Sequence, residues 1–327
     1  MAQTAVIGTG SWGTATAAAL ARGGLDVLLW GRDAGKVAAL AAARRHPQLP
    51  GELPPTLAIT ADPLALAGAD LVLWAVPTQH TAASARALRA AIPAGVPVVS
   101  LAKGLEQGTL RRVSEILAAE LPGRPVLALS GPSHAGEVMA GKPACLVVAG
   151  PEGAACEVQR RLHGRAFRLY TSTDLLGVEL AGALKNVVAI AAGICDGLDL
   201  GHNVKAALVT RGVAEMRRLG RAMHAVDSTF SGMAGVGDLL TTCYSPHGRN
   251  RALGEALARG AKGGDYLAAQ ATVAEGAWTA RAALALGRAH AVDLPITSEV
   301  ASLVWDDRPV AQALDALLAR APKEEDA

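Results

Sequence analysis

Short, almost uninterrupted apolar runs alternate with helical stretches through the first half of the chain. Runs of this kind are typical of strands that are buried on both faces of a parallel sheet. They predict strands at residues 4–7, 27–30, 71–76, 97–101, 126–129, 145–149 and 167–170. The stretches between them predict helices at residues 13–22, 33–45, 78–91, 109–121 and 152–163. This alternation predicts an α/β, doubly wound, mainly parallel sheet that binds a ligand at the carboxyl ends of its strands.

The pattern changes after about residue 172. A long apolar helical segment at residues 179–198 comes first, and no further strand pattern follows it. Further helices are predicted at residues 203–219, 250–259, 272–290, 298–305 and 310–320. The sequence therefore predicts two domains, an α/β domain at residues 1–172 and an all-α domain at residues 173–327.

Composition narrows the classes of function. The 327 residues carry a formal net charge of +2, so nucleic acid and membrane surfaces are not expected partners. The apolar stretch at residues 187–195 is shorter than the roughly 20 residues that span a bilayer, and no stable membrane insertion is predicted. Cys145, Cys156, Cys195 and Cys243 are scattered without zinc-ligand spacing, so we expect reduced thiols and no metal site. The N-terminal residues lack a signal-peptide pattern, and the expected location is the cytoplasm.

The segment after the first predicted strand matches G-x-G-x-x-G, with Gly8, Gly10 and Gly13 at the glycine positions. Gly8 suits the tight turn, Gly10 lets a pyrophosphate approach the backbone, and Gly13 allows close helix–strand packing. The helix that follows offers free N–H groups and a partial positive charge to phosphates. A glycine-rich turn without a ligand is the alternative, but the position between a strand and a helix favours a Rossmann-like dinucleotide site.

The end of the second predicted strand bears on the choice of cofactor. An acidic residue there would bind the adenosine ribose of NAD, whereas an arginine would meet the 2′-phosphate of NADP. The sequence offers Arg32 followed by Asp33. Asp33 fits a cap for the following helix better, although it could serve the ribose instead. We therefore expect NADPH to be preferred over NADH.

Polar residues interrupt the long apolar helix of the second half. Lys185 and Asn186 lie in its middle, while Gly182, Ala189 and Gly193 keep one helical face small enough for another backbone to approach. A lysine at such a position either extends its amine to solvent or works at a cleft. The pattern alone favours solvent.

Further along, Asp238 supplies a carboxylate, and Gly248, Arg249 and Asn250 form a candidate anion-binding cluster. Arginine, amide and helix-start N–H groups together suit a phosphate. A solvent-exposed loop with a helix cap explains the same residues equally well, so the pattern leaves both interpretations open.

Together these segments resemble bacterial-type NAD(P)-dependent glycerol-3-phosphate dehydrogenase over nearly the whole chain. Other dehydrogenases share single motifs, but the Ala-Leu-Lys-Asn run that ends at Asn186, followed by Gly-Asp-Leu and Arg-Asn, is specific to this family. The matching segments keep the family's order and separation, and they are residues 8–13, 76–78, 100–106, 129–133, 177–197, 210–216, 232–238, 249–251 and 273–276.

The resemblance implies an oxidoreductase that interconverts dihydroxyacetone phosphate and sn-glycerol 3-phosphate by hydride transfer with NADPH or NADH. It implies that Lys185 is the catalytic lysine, which donates a proton as hydride reaches the carbonyl carbon and removes the hydroxyl proton in reverse. It further implies supply of glycerol 3-phosphate for phospholipid synthesis. A homodimer is one expected assembly, because helical domains of this kind commonly associate.

The resemblance also implies two sets of binding residues. The substrate-binding set is Lys103, Gly131, Ser133, Lys185, Asn186, Asp238, Thr242, Gly248, Arg249 and Asn250. The cofactor-binding set is Gly8, Gly10, Ser11, Trp12, Gly13, Arg32, Lys103, Ala135, Arg249, Val273 and Glu275. In the first set, Asp238 is implied to hold the lysine or a substrate hydroxyl with support from Thr242. Residues 248–250 are implied to take the substrate phosphate.

Two other functions fit parts of the sequence. A two-domain hydroxyacid or ketopantoate-type reductase would share the sheet and the glycine turn. Its substrate anion is a carboxylate, and it should lack the combination of Lys103, Lys185, Asp238 and residues 248–250. A non-catalytic dinucleotide-binding regulator would need neither a buried lysine nor an anion cluster.

Overall fold

The computed structural model describes residues 3–246, 248–269, 274–322 and 324–325. The chain divides into two compact units. The first comprises Met1–Lys103 and Arg112–Val178, and the second comprises Gly104–Arg111 and Glu179–Ala327. The domain boundary expected after residue 172 stays a prediction.

An eight-stranded sheet organises the first unit. Its order is β3-β2-β1-β4-β5-β6-β7-β8, and every neighbouring pair is parallel except β6 and β7. The strands are β1 (Gln3–Ile7), β2 (Asp26–Trp30), β3 (Ala58–Thr60), β4 (Ala69–Trp74), β5 (Val98–Ser100), β6 (Val126–Ser130), β7 (Ala144–Ala149) and β8 (Phe167–Ser172). The predicted doubly wound, mainly parallel sheet is confirmed. The sequence pattern missed β3, because its three residues are not buried and present no apolar run.

Apolar layers cover both faces of this sheet, because successive strand residues point to opposite sides. In β4, Leu71 and Leu73 join one buried cluster, whereas Val72 and Trp74 join the other. The covering helices are α1 (Ser11–Arg22), α2 (Ala34–Ala43), α3 (Thr78–Leu88), α4 (Val113–Glu120), α5 (Ala135–Met139) and α6 (Glu152–Leu162).

One predicted helix of this half begins later than expected. The pattern predicted a helix from residue 109, but α4 begins at Val113. Leu110 has a positive φ of 61°, which a helix does not accommodate. Glu106 also accepts hydrogen bonds from the Arg111 guanidinium, so a local ion pair replaces the first helical turn.

The second unit is helical, and no strand occurs among its described residues. Its helices are α7 (Leu175–Gly197, which begins in the first unit), α8 (Gly201–Ala222), α9 (Asp238–Tyr244), α10 (Arg249–Ala258), α11 (Gly263–Ala269), α12 (Glu275–Ala289), α13 (Pro295–Trp305) and α14 (Val310–Leu318). The pattern missed the short helices α9 and α11. Helix α7 is long and apolar enough to cross a membrane, but 89% of its most apolar window is buried inside the protein. It is therefore the core helix of this unit.

Glycine lets the backbones of α7 and α10 touch. A Cβ on Gly193 of α7 would lie 2.0 Å from the carbonyl oxygen of Arg251. In the opposite direction, a Cβ on Gly254 of α10 would lie 2.0 Å from the carbonyl oxygen of Ile190. The predicted close approach of a second backbone to α7 is confirmed at Gly193.

We predict that Gly193→Ala destabilises the helical unit by about 1–3 kcal/mol or more, because the methyl group overlaps a helix backbone that has no room to move. Denaturant unfolding followed by circular dichroism measures the loss. Gly264→Ala in α11 is the matched control, since a Cβ there meets no atom of the described residues within 4 Å. Equal stability of the two variants would contradict the close packing at Gly193.

Candidate functional site

The turn between β1 and α1 has the geometry of a phosphate cradle. Gly8 has a φ of +120°, and a Cβ there would lie 2.7 Å from the carbonyl oxygen of Ala75. A Cβ on Gly13 would lie 2.1 Å from the carbonyl oxygen of Gly8. Gly10, by contrast, faces open space, and no side chain in the described part of the chain caps α1 at this residue. The helix therefore keeps N–H groups and a partial positive charge available to an anion that approaches Gly10.

Two further predicted cofactor residues follow this turn at the start of α1. The Ser11 hydroxyl donates a hydrogen bond to Gln48 Oε1 at 2.9 Å. Trp12 is half-buried and packs its ring edge-on against Phe167, with the ring centroids 6.3 Å apart. The start of α1 is thus held by packing as well as by the glycine turn.

At the end of β2, Arg32 and Asp33, the two residues considered for cofactor choice, have different environments. Asp33 Oδ1 accepts the backbone N–H of Lys36 at 3.0 Å, so its carboxylate caps α2. This hydrogen bond holds the pKa of Asp33 below its ordinary value. Arg32 is exposed at the carboxyl end of the strand. The interpretation of Asp33 as a helix cap is confirmed, and that role engages the carboxylate that would otherwise serve a ribose.

Three predicted residues meet at the carboxyl ends of β5 and β6. Lys103 Nζ donates to the carbonyl oxygen of Gly131 at 3.1 Å, and the Ser133 hydroxyl donates to the same oxygen at 2.9 Å. Gly131 has a φ of +134°, and a Cβ there would lie 2.8 Å from the carbonyl oxygen of Cys145. Ala135 is the first residue of α5, directly after this turn.

In the helical unit, Lys185 is buried rather than extended to solvent. Its Nζ lies 2.8 Å from Asp238 Oδ1 and 2.5 Å from Thr242 Oγ1. The side chains of Lys185 and Asp238 are only 7% and 3% exposed. The solvent-directed amine that the apolar pattern favoured is therefore wrong, because α9 supplies a carboxylate that stabilises the buried ammonium.

Asp238 and Thr242 lie on one face of α9, a single turn apart. The Thr242 hydroxyl donates to the carbonyl oxygen of Asp238 at 2.7 Å, which orients its lone pairs toward the lysine. A short π-helical turn, Met233–Gly237, precedes α9, and Gly235 within it has non-helical angles of φ −90° and ψ −106°. A Cβ on Gly235 would lie 1.9 Å from the carbonyl oxygen of Phe230. Only glycine fits this turn, which sets where Asp238 begins the helix.

A chain of amide hydrogen bonds runs beside the lysine. Asn186 Nδ2 donates to the carbonyl oxygen of Gly182 at 3.3 Å, and Asn250 Nδ2 donates to Asn186 Oδ1 at 2.9 Å. The backbone N–H of Gly276 then donates to Asn250 Oδ1 at 3.0 Å. The two asparagines thus join α7, α10 and α12. Their predicted contact with substrate stays a prediction.

The remaining predicted residues lie at two helix starts. Arg249 is exposed as the first residue of α10, and Gly248 precedes it in the cap position. No side-chain hydrogen bond from the described residues caps α10, so the helix start and a guanidinium together suit an anion. Glu275 is the first residue of α12. Val273 lies outside the described residues.

A second buried charge cluster was not singled out from the sequence. Lys205 is 5% exposed and donates to Asp196, which also accepts from Arg251. The available signal was helical spacing: Asp196 follows Lys185 by three turns of α7 and shares its face.

Comparison with known proteins places the chain in one family along its whole length. Residues 3–156 match the profile described as NAD-dependent glycerol-3-phosphate dehydrogenase N-terminus, and residues 174–315 match that of its C-terminus. A glycerol-3-phosphate dehydrogenase (NAD(P)+) of Desulfitobacterium hafniense is 43% identical, over 99% of this chain and 93% of that protein. One of Geobacter metallireducens is 45% identical, over 98% of each chain.

Solved structures agree with these matches. Glycerol-3-phosphate dehydrogenase from Coxiella burnetii superposes with a TM-score of 0.92 at 37% identity, over 98% of this chain and 99% of that one. A ketopantoate reductase from Ralstonia eutropha reaches a TM-score of 0.64 at 22% identity, over 92% of this chain and 97% of that one. The second likeness shows a shared fold alone.

We predict that the four free thiols divide into two reactive and two protected groups. Burial raises the pKa of Cys243 to about 12 and also raises the pKa of Cys195. At pH 8, a thiol with a pKa of about 12 is ionised in only about 1 in 10⁴ molecules, and the thiolate is the reactive form. Cys145 and Cys156 are partly exposed. Iodoacetamide followed by peptide mass spectrometry should therefore label Cys145 and Cys156 in the native protein.

Labelling in guanidinium chloride is the control, where all four thiols should react. Native labelling of Cys243 at the rate of Cys145 would contradict the burial of the residue next to Thr242.

Proposed function

The chain belongs to the NAD-dependent glycerol-3-phosphate dehydrogenase family, and we propose that it interconverts dihydroxyacetone phosphate and sn-glycerol 3-phosphate. The observation that carries this proposal is the buried trio of Lys185, Asp238 and Thr242. A buried lysine held by a carboxylate and a hydroxyl is a proton donor in a fixed position. The start of α10 adds a second feature, because its uncapped N–H groups and the exposed Arg249 suit an anion. An ion pair with a purely structural role would not require such a site.

A nicotinamide dinucleotide fits the first unit, because the glycine turn excludes side chains where a pyrophosphate would approach the backbone. The bound NAD(P)H supplies the hydride. The residues proposed to hold the cofactor are Gly8, Gly10, Ser11, Trp12, Gly13, Arg32, Lys103, Ala135, Arg249, Val273 and Glu275. We expect NADPH to be the better cofactor, because Asp33 is engaged as a helix cap while Arg32 is exposed.

In ketone reduction, Lys185 donates a proton from Nζ to the carbonyl oxygen as the carbonyl carbon receives hydride. The proton and the hydride together convert the ketone to a secondary alcohol, and Lys185 regains its proton from solvent. Asp238 favours the ammonium form before the step, and Thr242 fixes the direction of Nζ. In the reverse direction the neutral amine of Lys185 accepts the hydroxyl proton.

The substrate phosphate is assigned to Gly248, Arg249 and Asn250 at the start of α10. A dianion there interacts with helix N–H groups, the helix dipole and a guanidinium. Lys103, Gly131 and Ser133, which lie together in the nucleotide-binding unit, are the further proposed substrate residues. Asn186 supports Asn250 through its amide oxygen.

The cellular setting follows from the same proposal. We infer that the protein acts in the cytoplasm, as a homodimer, and supplies glycerol 3-phosphate to phospholipid synthesis. Size-exclusion chromatography with light scattering tests the dimer.

The reaction itself is tested by initial rates with dihydroxyacetone phosphate and NADPH or NADH. We expect rapid oxidation that falls to a slow residual rate when unphosphorylated dihydroxyacetone replaces the substrate. Equal rates with and without the phosphate group, or with ketopantoate, would favour the related reductase. Tight binding of NADPH without turnover of any of these substrates would favour a dinucleotide-binding regulator.

We predict that Lys185→Met lowers kcat about 10²- to 10⁴-fold, since a positioned proton donor contributes about that much. Binding of NADPH, followed by nucleotide fluorescence, should persist because the glycine turn is unchanged. Lys262→Met is the matched control, because that lysine is largely exposed in the same unit and pairs with the exposed Asp307. A Lys185→Met enzyme that keeps full turnover would exclude the lysine as proton donor.

We predict that Arg32→Ala lowers kcat/KM with NADPH roughly 10- to 100-fold, the range expected for losing charged hydrogen bonds to a phosphate. The value with NADH should change little, because NADH has no 2′-phosphate. Arg165→Ala, at an exposed position just before β8, controls for the general loss of positive charge. Equal losses with both cofactors would contradict a 2′-phosphate contact.

A further inference from the structure

Asp196 gathers two cations at the carboxyl-terminal end of α7. Lys205 Nζ donates to both carboxylate oxygens of Asp196 at 2.8 Å, and Arg251 Nε donates to Oδ2 at 2.5 Å. Lys205 lies on α8 and Arg251 lies on α10. One carboxylate therefore joins three helices. The proposed proton transfer does not use any of these three side chains.

Both cations also reach the end of α9, the helix that carries Asp238 and Thr242. Lys205 Nζ lies 4.5 Å from the ring centroid of Tyr244, the last residue of that helix. Arg251 Nη1 donates to the carbonyl oxygen of Ser245, the next residue, at 3.4 Å. Each cation thus contacts Asp196 on one side and the end of α9 on the other.

Arg251 also belongs to the first turn of α10, two residues after Arg249. Its Nη2 lies 2.7 Å from Glu255 Oε1, one turn further along the same helix. Because Gly193 has no side chain, the backbone of Arg251 lies directly against α7. The start of α10 is therefore fixed to α7 by backbone packing and by the Asp196 ion pair at the same residue.

Asp196 and Glu255 oppose Lys205 and Arg251, and Arg259 also lies 3.9 Å from Glu255. Burial alone would raise the pKa of Asp196, but the hydrogen bonds from Lys205 and Arg251 outweigh it and hold the pKa below its ordinary value. Asp196 is therefore ionised at neutral pH. Removing its charge would leave two largely buried cations without their common partner, and they would move.

We propose that Asp196, Lys205 and Arg251 are positioning residues for the substrate phosphate. They hold the start of α10 against α7 and α9, so that Arg249 and the helix N–H groups meet the phosphate in one fixed arrangement. The proposal rests on the proposed function in one respect, which is that the start of α10 binds this phosphate.

A positioning role differs from a purely structural one in what it changes. Loss of stability alone would reduce the amount of folded enzyme and lower rates with every substrate alike. Displacement of the start of α10 would instead weaken the interaction with phosphate while leaving the nucleotide turn intact. Comparing the constants for the phosphorylated substrate with those for the unphosphorylated one therefore distinguishes a positioning role from a purely structural role.

The test is Asp196→Asn, which keeps the shape of the side chain and removes its charge. We expect KM for dihydroxyacetone phosphate to rise roughly 10- to 100-fold, the scale of a displacement of about 1 Å near a reacting group. The residual rate with unphosphorylated dihydroxyacetone should stay within about twofold. KM for NADPH should rise by a smaller factor than KM for dihydroxyacetone phosphate, because Arg249 is the one proposed cofactor residue at the start of α10. Calorimetric titration with inorganic phosphate, with the enzyme saturated by NADPH, should show a matching loss of affinity.

Asp227→Asn is the matched control. Asp227 also binds two cations in the same unit, Arg217 Nη2 at 2.5 Å and Arg221 Nε at 2.6 Å, and both arginines lie near the end of α8, three to four turns after Lys205. This variant should leave all constants within about twofold of wild type. Arg251→Lys is the second test variant, because it keeps the charge but shortens the reach to Ser245 and Glu255. It should raise KM for the phosphorylated substrate by a smaller factor than Asp196→Asn.

The outcomes distinguish failure of the positioning proposal from failure of the proposed function. If Asp196→Asn folds, binds NADPH and keeps the wild-type KM and phosphate affinity, the positioning network is wrong. If Asp196→Asn does not fold, an unchanged phosphate affinity in Arg251→Lys overturns it instead. If wild-type protein fails to reduce dihydroxyacetone phosphate, the proposed function is wrong, and the calorimetric phosphate affinities still decide the role of the network.

Discussion

Helices α7 and α10 pack with their backbones in direct contact, because glycine is present on both sides of the crossing. Gly193 accommodates the carbonyl of Arg251, and Gly254 accommodates the carbonyl of Ile190. Backbones this close leave no space for intervening side chains, so polar residues beside the crossing meet at hydrogen-bonding distance. The pairing of Asn186 with Asn250 is one result. The ion pair of Asp196 with Arg251 is another.

The helical unit also contains two ion pairs whose lysines are buried. Lys185 and Asp196 lie on the same face of α7, three turns apart, and each is held by opposite charge from a neighbouring helix. Two partly desolvated ion pairs are a costly way to stabilise a core, since well-packed apolar groups would serve as well. The two proposed roles account for them, with Lys185 as the proton donor and the Asp196 ion pair as the group that orients the start of α10.

The nucleotide-binding unit reaches a similar result with backbone rather than charge. Gly8, Gly13 and Gly131 lie where a Cβ would collide with neighbouring backbone. The chain can therefore expose main-chain N–H groups at Gly10, where a Cβ would meet no atom of the described residues within 4 Å. Beyond this turn, Asp33 caps α2, whereas Arg32 is exposed at the end of β2 and is the residue proposed to contact the cofactor there.

The sequence by itself determined the sheet, the change to an all-helical second half and the glycine turn. Each of these depends on local periodicity or on backbone constraints that act within a few residues. It also predicted the close approach at Gly193, because a small face on an apolar helix has few other uses. It missed β3, α5, α9 and α11, whose short runs are too brief to show a period.

Only the tertiary structure decided what the buried polar residues do. The pattern favoured a solvent-directed amine for Lys185, because a carboxylate 53 residues further along the chain cannot be paired with it by spacing. Likewise Arg251 is 55 residues from Asp196, and neither residue differs locally from a solvated charge. Whether a charge is buried and paired depends on which helices meet, and that is settled by packing over the whole unit.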